Sequence, residues 1–442
     1  MVMTLPDDST INRYGLISGW GNFPLLIAQA LKKEGHKVFC VGVSGHANSK
    51  LLSEICDDYR EIGLGRFAKA ARFFRKHHVT QATMAGKIFK QSLLRPGIIC
   101  RHSPDLYTFS RFCSLFLRPK KDLKDDTLLL TAVRAFEKKG VKLIPATDLA
   151  PNLLIPHKTL TDRILSDSVY DDVRTAWPIT RLIGKLDFGQ AVMVSNHRIL
   201  AIEGIDGTDE TIARGAASEK RSAFTVVKIA KPNQDMRFDV PAVGIRTLEK
   251  MAASGADALV VEANRTLCVD PLDQFIAKAN ALNIAVGAVT AEDLGIQELG
   301  NVPACFFSFR PLTRVLPNKR QIKDLNVGFP AASALSRYGV GSMVTVRERA
   351  ILAAQSVDEP ILETLQRTNK FAPDGFCAIL HQIDGTCRNL CLSASIVNDI
   401  IRSGARMIAI DTDIPIEDEK DVRQIAEAHH VPFLAVQEHL KR

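Results

Sequence analysis

The sequence repeats part of itself, and that constrains its fold more than any single motif does. At a constant offset of 152 residues, Leu160-Thr161 recurs as Leu312-Thr313, Asp172 as Asp324, Pro178 as Pro330 and Gly189 as Gly341. The register continues through Ile199-Leu200-Ala201 and Ile351-Leu352-Ala353, Asp206 and Asp358, and Phe224 and Phe376. After a gap of three residues it resumes, with Ser254-Gly255-Ala256 matching Ser403-Gly404-Ala405 and Glu262 matching Asp411. Unrelated α/β segments share short patterns, but a register held over this span points to duplication. The expectation is three domains in the 442-residue chain, at 1–150, 157–292 and 305–442, the last two homologous.

The fold class follows from the rhythm of apolar residues. Residues 14–18, 23–34 and 37–43 read strand, helix, strand around a glycine turn, a βαβ opening. Helices at 65–76 and 126–139 alternate with strands at 81–85 and 142–145, so the first domain is expected to be Rossmann-like with a parallel core. Pro151 and Pro156 frame a linker. Beyond it the pattern predicts helices at 167–183, 243–255 and 272–282 and strands at 190–194, 198–203, 225–229 and 258–262. The whole reads as α/β: a Rossmann-like N-terminal domain followed by two homologous α/β domains.

Charge and cysteine usage narrow the setting. Lys and Arg number 57 against 49 Asp and Glu, a net +8, which suits an anionic small molecule or membrane surface and falls short of a histone-like binder. No apolar run is long enough to span a bilayer, and the first thirteen residues carry Asp7 and Asp8 and no apolar h-region, so the expected compartment is cytoplasmic. Nine cysteines without a CxxC, with only Cys387 and Cys391 close together, fit reduced core thiols better than disulfides or zinc ligands.

Three stretches could carry chemistry. Gly15 to Pro24, with Gly19, Gly21 and Asn22 at a strand-to-helix junction, could bring backbone N–H groups to a phosphate, or could need glycine only for its dihedrals. It is not a GxGxxG fingerprint, and the second strand ends in Val43-Ser44 without the ribose-binding acid, which disfavours a nicotinamide-dependent oxidoreductase. From Leu64 to Lys121 stand thirteen Lys and Arg against one acid, Asp105, interleaved with apolar residues such as Phe73, Leu94, Phe109 and Phe112. That mixture suits a surface meeting phosphate and acyl chain, or a solvated basic face over an ordinary core; no RNP1-like motif speaks for RNA, and no nucleic-acid partner is expected.

The densest polar cluster runs from Lys228 to Pro241, with Lys231, Gln234, Asp235, Arg237 and Asp239 leaving a strand. Carboxylate oxygens there could take Mg²⁺ while Lys and Arg neutralise a diphosphate, or the cluster could be a charged surface turn. Asp125-Asp126 and Thr208-Asp209 could serve the same site or cap helices.

In this order, the motifs GLISGWGNFP (15–24), AGKI (85–88), KDD (124–126), DFGQAVMV (187–194), EGIDGTD (203–209), KPNQDMRFDVP (231–241) and EANRTLCVD (262–270) resemble the LpxI family, the UDP-2,3-diacylglucosamine pyrophosphatases of lipid A biosynthesis. The resemblance covers about residues 14–290. It implies Mg²⁺-dependent hydrolysis of the diphosphate to UMP and 2,3-diacylglucosamine 1-phosphate, with the substrate held between an N-terminal and a C-terminal domain. The family's essential aspartate falls on Asp239, here in Asp-Val-Pro where Asp-Leu-Pro is usual, and that residue is the implied metal ligand and catalytic group, with Asp235 beside it in a supporting or structural part. Substrate contacts are implied for Gly19, Gly21, Asn22, Lys87, Asp125, Asp126, Gln190, Thr208, Asp209, Lys228, Lys231, Gln234 and Arg237. Trp20 and Lys124 depart from the family's small residue and Gly. The implied setting is the cytoplasm with peripheral contact to the inner membrane, as a monomer or small homo-oligomer. In the repeat, the counterpart of Asp239 falls among Arg388, Asn389, Leu390 and Cys391, and Lys231-Pro232 becomes Ile383-Asp384, so the second copy is expected to be catalytically silent. A non-catalytic binder of nucleotide sugar or acyl lipid is the alternative.

Overall fold

The structure, a computed structural model, describes residues 11–88, 102–110, 125–218, 223–232, 234–237, 240–297, 305–357, 359–382 and 390–439. Two compact units emerge. One comprises Met1–Pro156 with Gln234–Gly244 and Asn264–Phe275; the other comprises His157–Asn233, Ile245–Ala263 and Ile276–Arg442.

In the first unit, β1 (Arg13–Ser18), β2 (Lys37–Val43), β3 (Asp58–Ile62), β4 (Gln81–Ala85) and β5 (Lys142–Leu143) form a parallel sheet in the order β3-β2-β1-β4-β5. Alternation along β2 explains its two covered faces. Val38 and Cys40 join Leu16, Ile27, Leu31 and Leu52 in one core, under the helices Phe23–Lys33 and Ser49–Ile55. Phe39 and Val41 join Phe73, Phe74, Val133 and Phe136 in the other, under Phe67–Lys76 and Asp125–Glu137. The α/β expectation therefore holds, and it gains β3 and the helix Ser49–Ile55, which the apolar rhythm did not predict.

The second unit contains two six-stranded sheets. β6 (Lys158–Thr159), β7 (Ala191–Ser195), β8 (Arg198–Ile202), β9 (Phe224–Lys228), β11 (Ala256–Glu262) and β13 (Ala285–Val289) run in the order β6-β13-β11-β9-β7-β8. The short strands β10 (Ala242–Val243) and β12 (Leu267–Cys268) pair separately, in the first unit. The other sheet takes β14 (Phe306–Pro311), β15 (Met343–Arg347), β16 (Ala350–Ala354), β17 (Phe376–Leu380), β18 (Ala405–Asp411) and β19 (Phe433–His439) in the order β14-β19-β18-β17-β15-β16. Position by position the two sheets have the same order and directions: three central parallel strands, one antiparallel edge strand, and an antiparallel hairpin on the other side.

Matching residues make matching bonds. Thr161 Oγ1 accepts from Val286 N, and Thr313 Oγ1 accepts from Phe433 N. The long helices Asp167–Lys185 and Lys319–Ser336 both carry an internal proline, Pro178 and Pro330. Their apolar faces, including Trp177 and Ile183 from one and Leu325 and Phe329 from the other, belong to a single buried cluster with residues from both sheets.

Candidate active site

In the first unit the strand order reverses between β1 and β4, and ligands of open α/β sheets bind at the carboxyl ends of strands flanking such a reversal. Two motifs meet there. Gly19 N donates to Ala85 O at 2.7 Å, Trp20 N to Lys87 O at 2.9 Å, and Lys87 N to Trp20 O at 2.9 Å. A Cβ on Gly19 would lie 2.7 Å from Lys87 O, so this backbone-on-backbone approach requires glycine. Lys87 is exposed at the junction. Asn22 then starts the helix Phe23–Lys33 without a side-chain cap, and its amide nitrogen donates to Asp270 Oδ1 at 3.3 Å.

Asp270 follows β12, which ties several segments of this unit together. β12 pairs with β10, Leu267 bridges Leu154, and Thr266 O accepts from Ile155 N at 2.9 Å. The segment carrying Gln234, Asp235 and Arg237 leads into β10 and so belongs to the same unit as the glycine turn. Asp235 is bound by Arg237, with its carboxylate 2.6 Å from Nη2 and 2.9 Å from Nε and accepting from Arg237 N at 3.1 Å. The Arg237 hydrogen bond holds the Asp235 carboxyl below the usual carboxylate range, and Asp235 in turn raises the guanidinium. Gln234 is half-buried. Asp239 lies outside the described residues, as do the side chains of Asp125 and Asp126, whose backbone opens the helix Asp125–Glu137.

In the second unit, three of the expected residues gather with Glu203 at one end of a sheet. Gln190 precedes β7, Glu203 follows β8, Lys228 ends β9, and Thr208 opens the helix Thr208–Ser218. Lys228 Nζ donates to Thr208 Oγ1 at 3.0 Å, Thr208 Oγ1 donates to Glu203 Oε1 at 2.7 Å, and Gln190 N donates to Glu203 Oε2 at 2.8 Å. Lys228 and Glu203 are both buried, so the hydroxyl links two opposite charges that would be costly alone. Asp209 sits beside this relay and pairs with Arg246 at 2.9 Å.

The loop leaving β9 is anchored at its root. Arg181, on the helix Asp167–Lys185, meets Glu262 at the end of β11 at 2.9 Å, both buried. Arg181 Nη1 donates to Ala230 O at 2.8 Å, and Glu262 Oε2 accepts from Ala230 N at 2.9 Å, so one ion pair grips both backbone groups of Ala230. Next in sequence, Lys231 pairs with the exposed Asp187 at 2.9 Å. Glu203, Asp270, Arg181 and Glu262 were not among the expected site residues. Asp270, Arg181 and Glu262 act through partners far along the chain, which local spacing does not reveal, whereas Glu203 acts through the nearer Thr208 and Gln190.

Among the described residues, Cys40, Cys56, Cys268, Cys305, Cys377 and Cys391 form no disulfide. Burial pushes the Cys268 thiol up to about 11 and the Cys377 thiol higher still.

The sequence matches the LpxI N-terminal domain over residues 13–153 and the LpxI C-terminal domain over residues 156–287. It is also similar to the UDP-2,3-diacylglucosamine pyrophosphatase LpxI of Caulobacter vibrioides, 27% identical over 292 residues that span 64% of this chain and 99% of that protein. Both family domains are present in full order, with the reversal-point glycines in one and the Lys228 relay in the other, and the chain belongs to the LpxI family.

Proposed function

We propose that this chain hydrolyses the diphosphate bond of UDP-2,3-diacylglucosamine. Water adds to one phosphorus, the P–O–P bridge breaks, and the products are UMP and 2,3-diacylglucosamine 1-phosphate. The observation that carries this reading is the alignment over 99% of the Caulobacter diphosphatase, which leaves almost no part of that enzyme without a counterpart here. The relay of Lys228, Thr208 and Glu203 supports it, because a buried, oriented cation is what a diphosphate's developing charge requires. Lys231 and Arg237 already carry carboxylate partners, and Asp187 is exposed enough to give way to a phosphate oxygen at little cost.

Mg²⁺ belongs to the same reading. This ion keeps several waters and is held by one or two carboxylates together with substrate phosphates. Asp235 is occupied by Arg237, which leaves Asp239 as the loop's acid for the ion. When bound, the ion would screen the diphosphate charge and orient water.

The third domain supplies no chemistry in this account. Its strands align with those of the second domain so that Gln190, Glu203 and Lys228 correspond to Ser342, Gln355 and Leu380, and its matching helix Ile361–Phe371 starts after Pro360. These replacements, with the shared strand order, support reading it as a silent second copy of the domain before it. The segment 383–389, where the loop's counterparts begin, lies outside the described residues.

Peripheral contact with the cytoplasmic face of the inner membrane completes the proposal. No described helix is long and apolar enough to cross a membrane. Arg66, Lys69 and Arg72 line a surface cavity of about 340 Å³ together with Asp105, and the adjacent Leu106 and Phe109 are exposed. Lys90, Arg95, Arg101, Arg111, Arg118, Lys120 and Lys121 lie outside the described residues. Activity on lipid vesicles is expected to fall as ionic strength passes about 0.1 M, where charges are screened beyond roughly 10 Å, while a soluble short-chain substrate is affected less. Equal salt dependence for the two substrates would remove the membrane contact.

The function itself is tested by incubating the purified chain with UDP-2,3-diacylglucosamine and Mg²⁺, with and without EDTA. UMP release abolished by EDTA is the expected result. Tight binding without UMP release would favour the alternative, a nucleotide-sugar or acyl-lipid binder.

A further inference from the structure

We propose that Arg367 and Glu359 of the third domain position the loop Glu203 to Thr208, so that the silent copy holds the site of the active one in working geometry. The inference rests on the hydrolase reading for its kinetic consequence and on geometry alone for its structural one. The two ends of that loop, Glu203 and Thr208, form the relay to Lys228. Its middle is held from the other copy. Ile205 N donates to Leu352 O, on β16, at 3.1 Å. A Cβ on Gly204 would come within 2.9 Å of the same carbonyl, so the approach is close enough to demand glycine.

Asp206 is the loop's anchor. Its Oδ1 accepts from Gly204 N at 3.2 Å, and its Oδ2 lies 3.0 Å from Arg214 Nη2 and 3.8 Å from Arg367 Nη1. Glu359 holds Arg367 at 2.7 Å and stands 4.0 Å from Arg214. Side-chain exposure is only 4% for Asp206, 7% for Glu359, 10% for Arg367 and 20% for Arg214, so water screens these four charges little. Each arginine pairs with the carboxylate of its own copy and faces that of the other, the reciprocal pattern of a twofold interface formed within one chain. Function enters through an asymmetry. The bracing is reciprocal, but only one of the two braced loops leads to a lysine, a threonine and a glutamate; its counterpart runs from Gln355 to Pro360.

Removing either third-domain partner leaves a buried charge of the active copy short of its counter-charge, and the loop's geometry relaxes. Arg367→Met and the isosteric Glu359→Gln, which serves where the first fails to fold, are compared with wild type in the full chain. Hydrogen exchange at residues 205–208 is expected to quicken about tenfold while exchange in β11 stays unchanged. In parallel, kcat/KM is expected to fall about tenfold, with kcat carrying most of the loss because the relay is misplaced rather than absent. Arg367→Lys should recover a large part of the loss. Unchanged exchange and kinetics in a folded variant, or losses that follow global unfolding with no local exchange change, would overturn the proposal. A wild-type chain inactive on UDP-2,3-diacylglucosamine, with the exchange change still present in the variants, would instead sink the hydrolase reading and leave the brace standing.

Discussion

Asp172 and Asp324 show why some positions of the repeat are retained. Each lies on a long helix and accepts a backbone N–H from a hairpin turn, Asp172 from His197 at 2.7 Å and Asp324 from Arg349 at 2.6 Å. Both turns place two non-glycine residues at positive φ, Asn196 and His197 in one and Glu348 and Arg349 in the other, a conformation that needs holding. Burial raises both carboxyls above their ordinary value. The folded protein therefore binds these protons more tightly than the unfolded chain does. The stability they contribute is full below the ordinary carboxylate range and is lost as pH rises through the raised folded value. Asp172→Asn keeps the acceptor and removes the charge, so it is expected to be neutral or stabilising near pH 7 and to flatten that decline. Asp172→Ala orphans a buried N–H and is expected to cost about 1–3 kcal/mol. Urea midpoints at pH 5 and pH 8 check both, and an alanine variant as stable as the asparagine one would show that the bond holds nothing. These aspartates were legible as a repeat because backbone geometry dictates them; their function as turn holders was not, since 25 residues separate each from its partner.

At the scale of elements, the ion pair between Arg181 and Glu262 decides where the Lys228 to Pro241 loop begins. Glu262→Gln leaves a buried guanidinium without its charge partner, and the expected cost is about 3–5 kcal/mol. Turnover should fall with it, because Ala230 loses one of its holders; thermal denaturation and initial rates together read the effect, and a variant with wild-type stability and rate would exclude the anchoring role. The strands and helices of the first domain were largely readable, since apolar runs such as Lys37–Val43 are buried on both faces and announce themselves. β3 was not, because Asp-Tyr-Arg-Glu-Ile at a sheet edge has the composition of a loop. Within the site, Gln190, Thr208 and Lys228 were expected and are brought together, whereas Glu203, which joins them, was legible only as the first residue of the EGIDGTD motif and not as a site group. Burial makes Glu203 matter, and burial is a property of the sheet rather than of neighbouring residues.

For the molecule as a whole, the two six-stranded sheets of the second unit and their long helices share one buried cluster, in which Trp177, Val192 and Val260 lie with Phe329, Ile379 and Leu434. Deleting residues 305–442 would bare that apolar face, so the truncated chain is expected to aggregate or to melt at a clearly lower temperature, although it keeps every residue expected to touch the substrate or the ion. Light scattering and calorimetry decide the matter, and a truncated chain as soluble and stable as the full one would contradict the shared core. The central claim is that the chain hydrolyses the diphosphate through Asp239. Its most direct test is turnover of UDP-2,3-diacylglucosamine by Asp239→Asn beside wild type, with substrate affinity measured in parallel. The account requires turnover to drop by orders of magnitude while affinity and fold stay close to wild type, since the lost charge acts mainly on the transition state. Near-normal turnover by Asp239→Asn would contradict it.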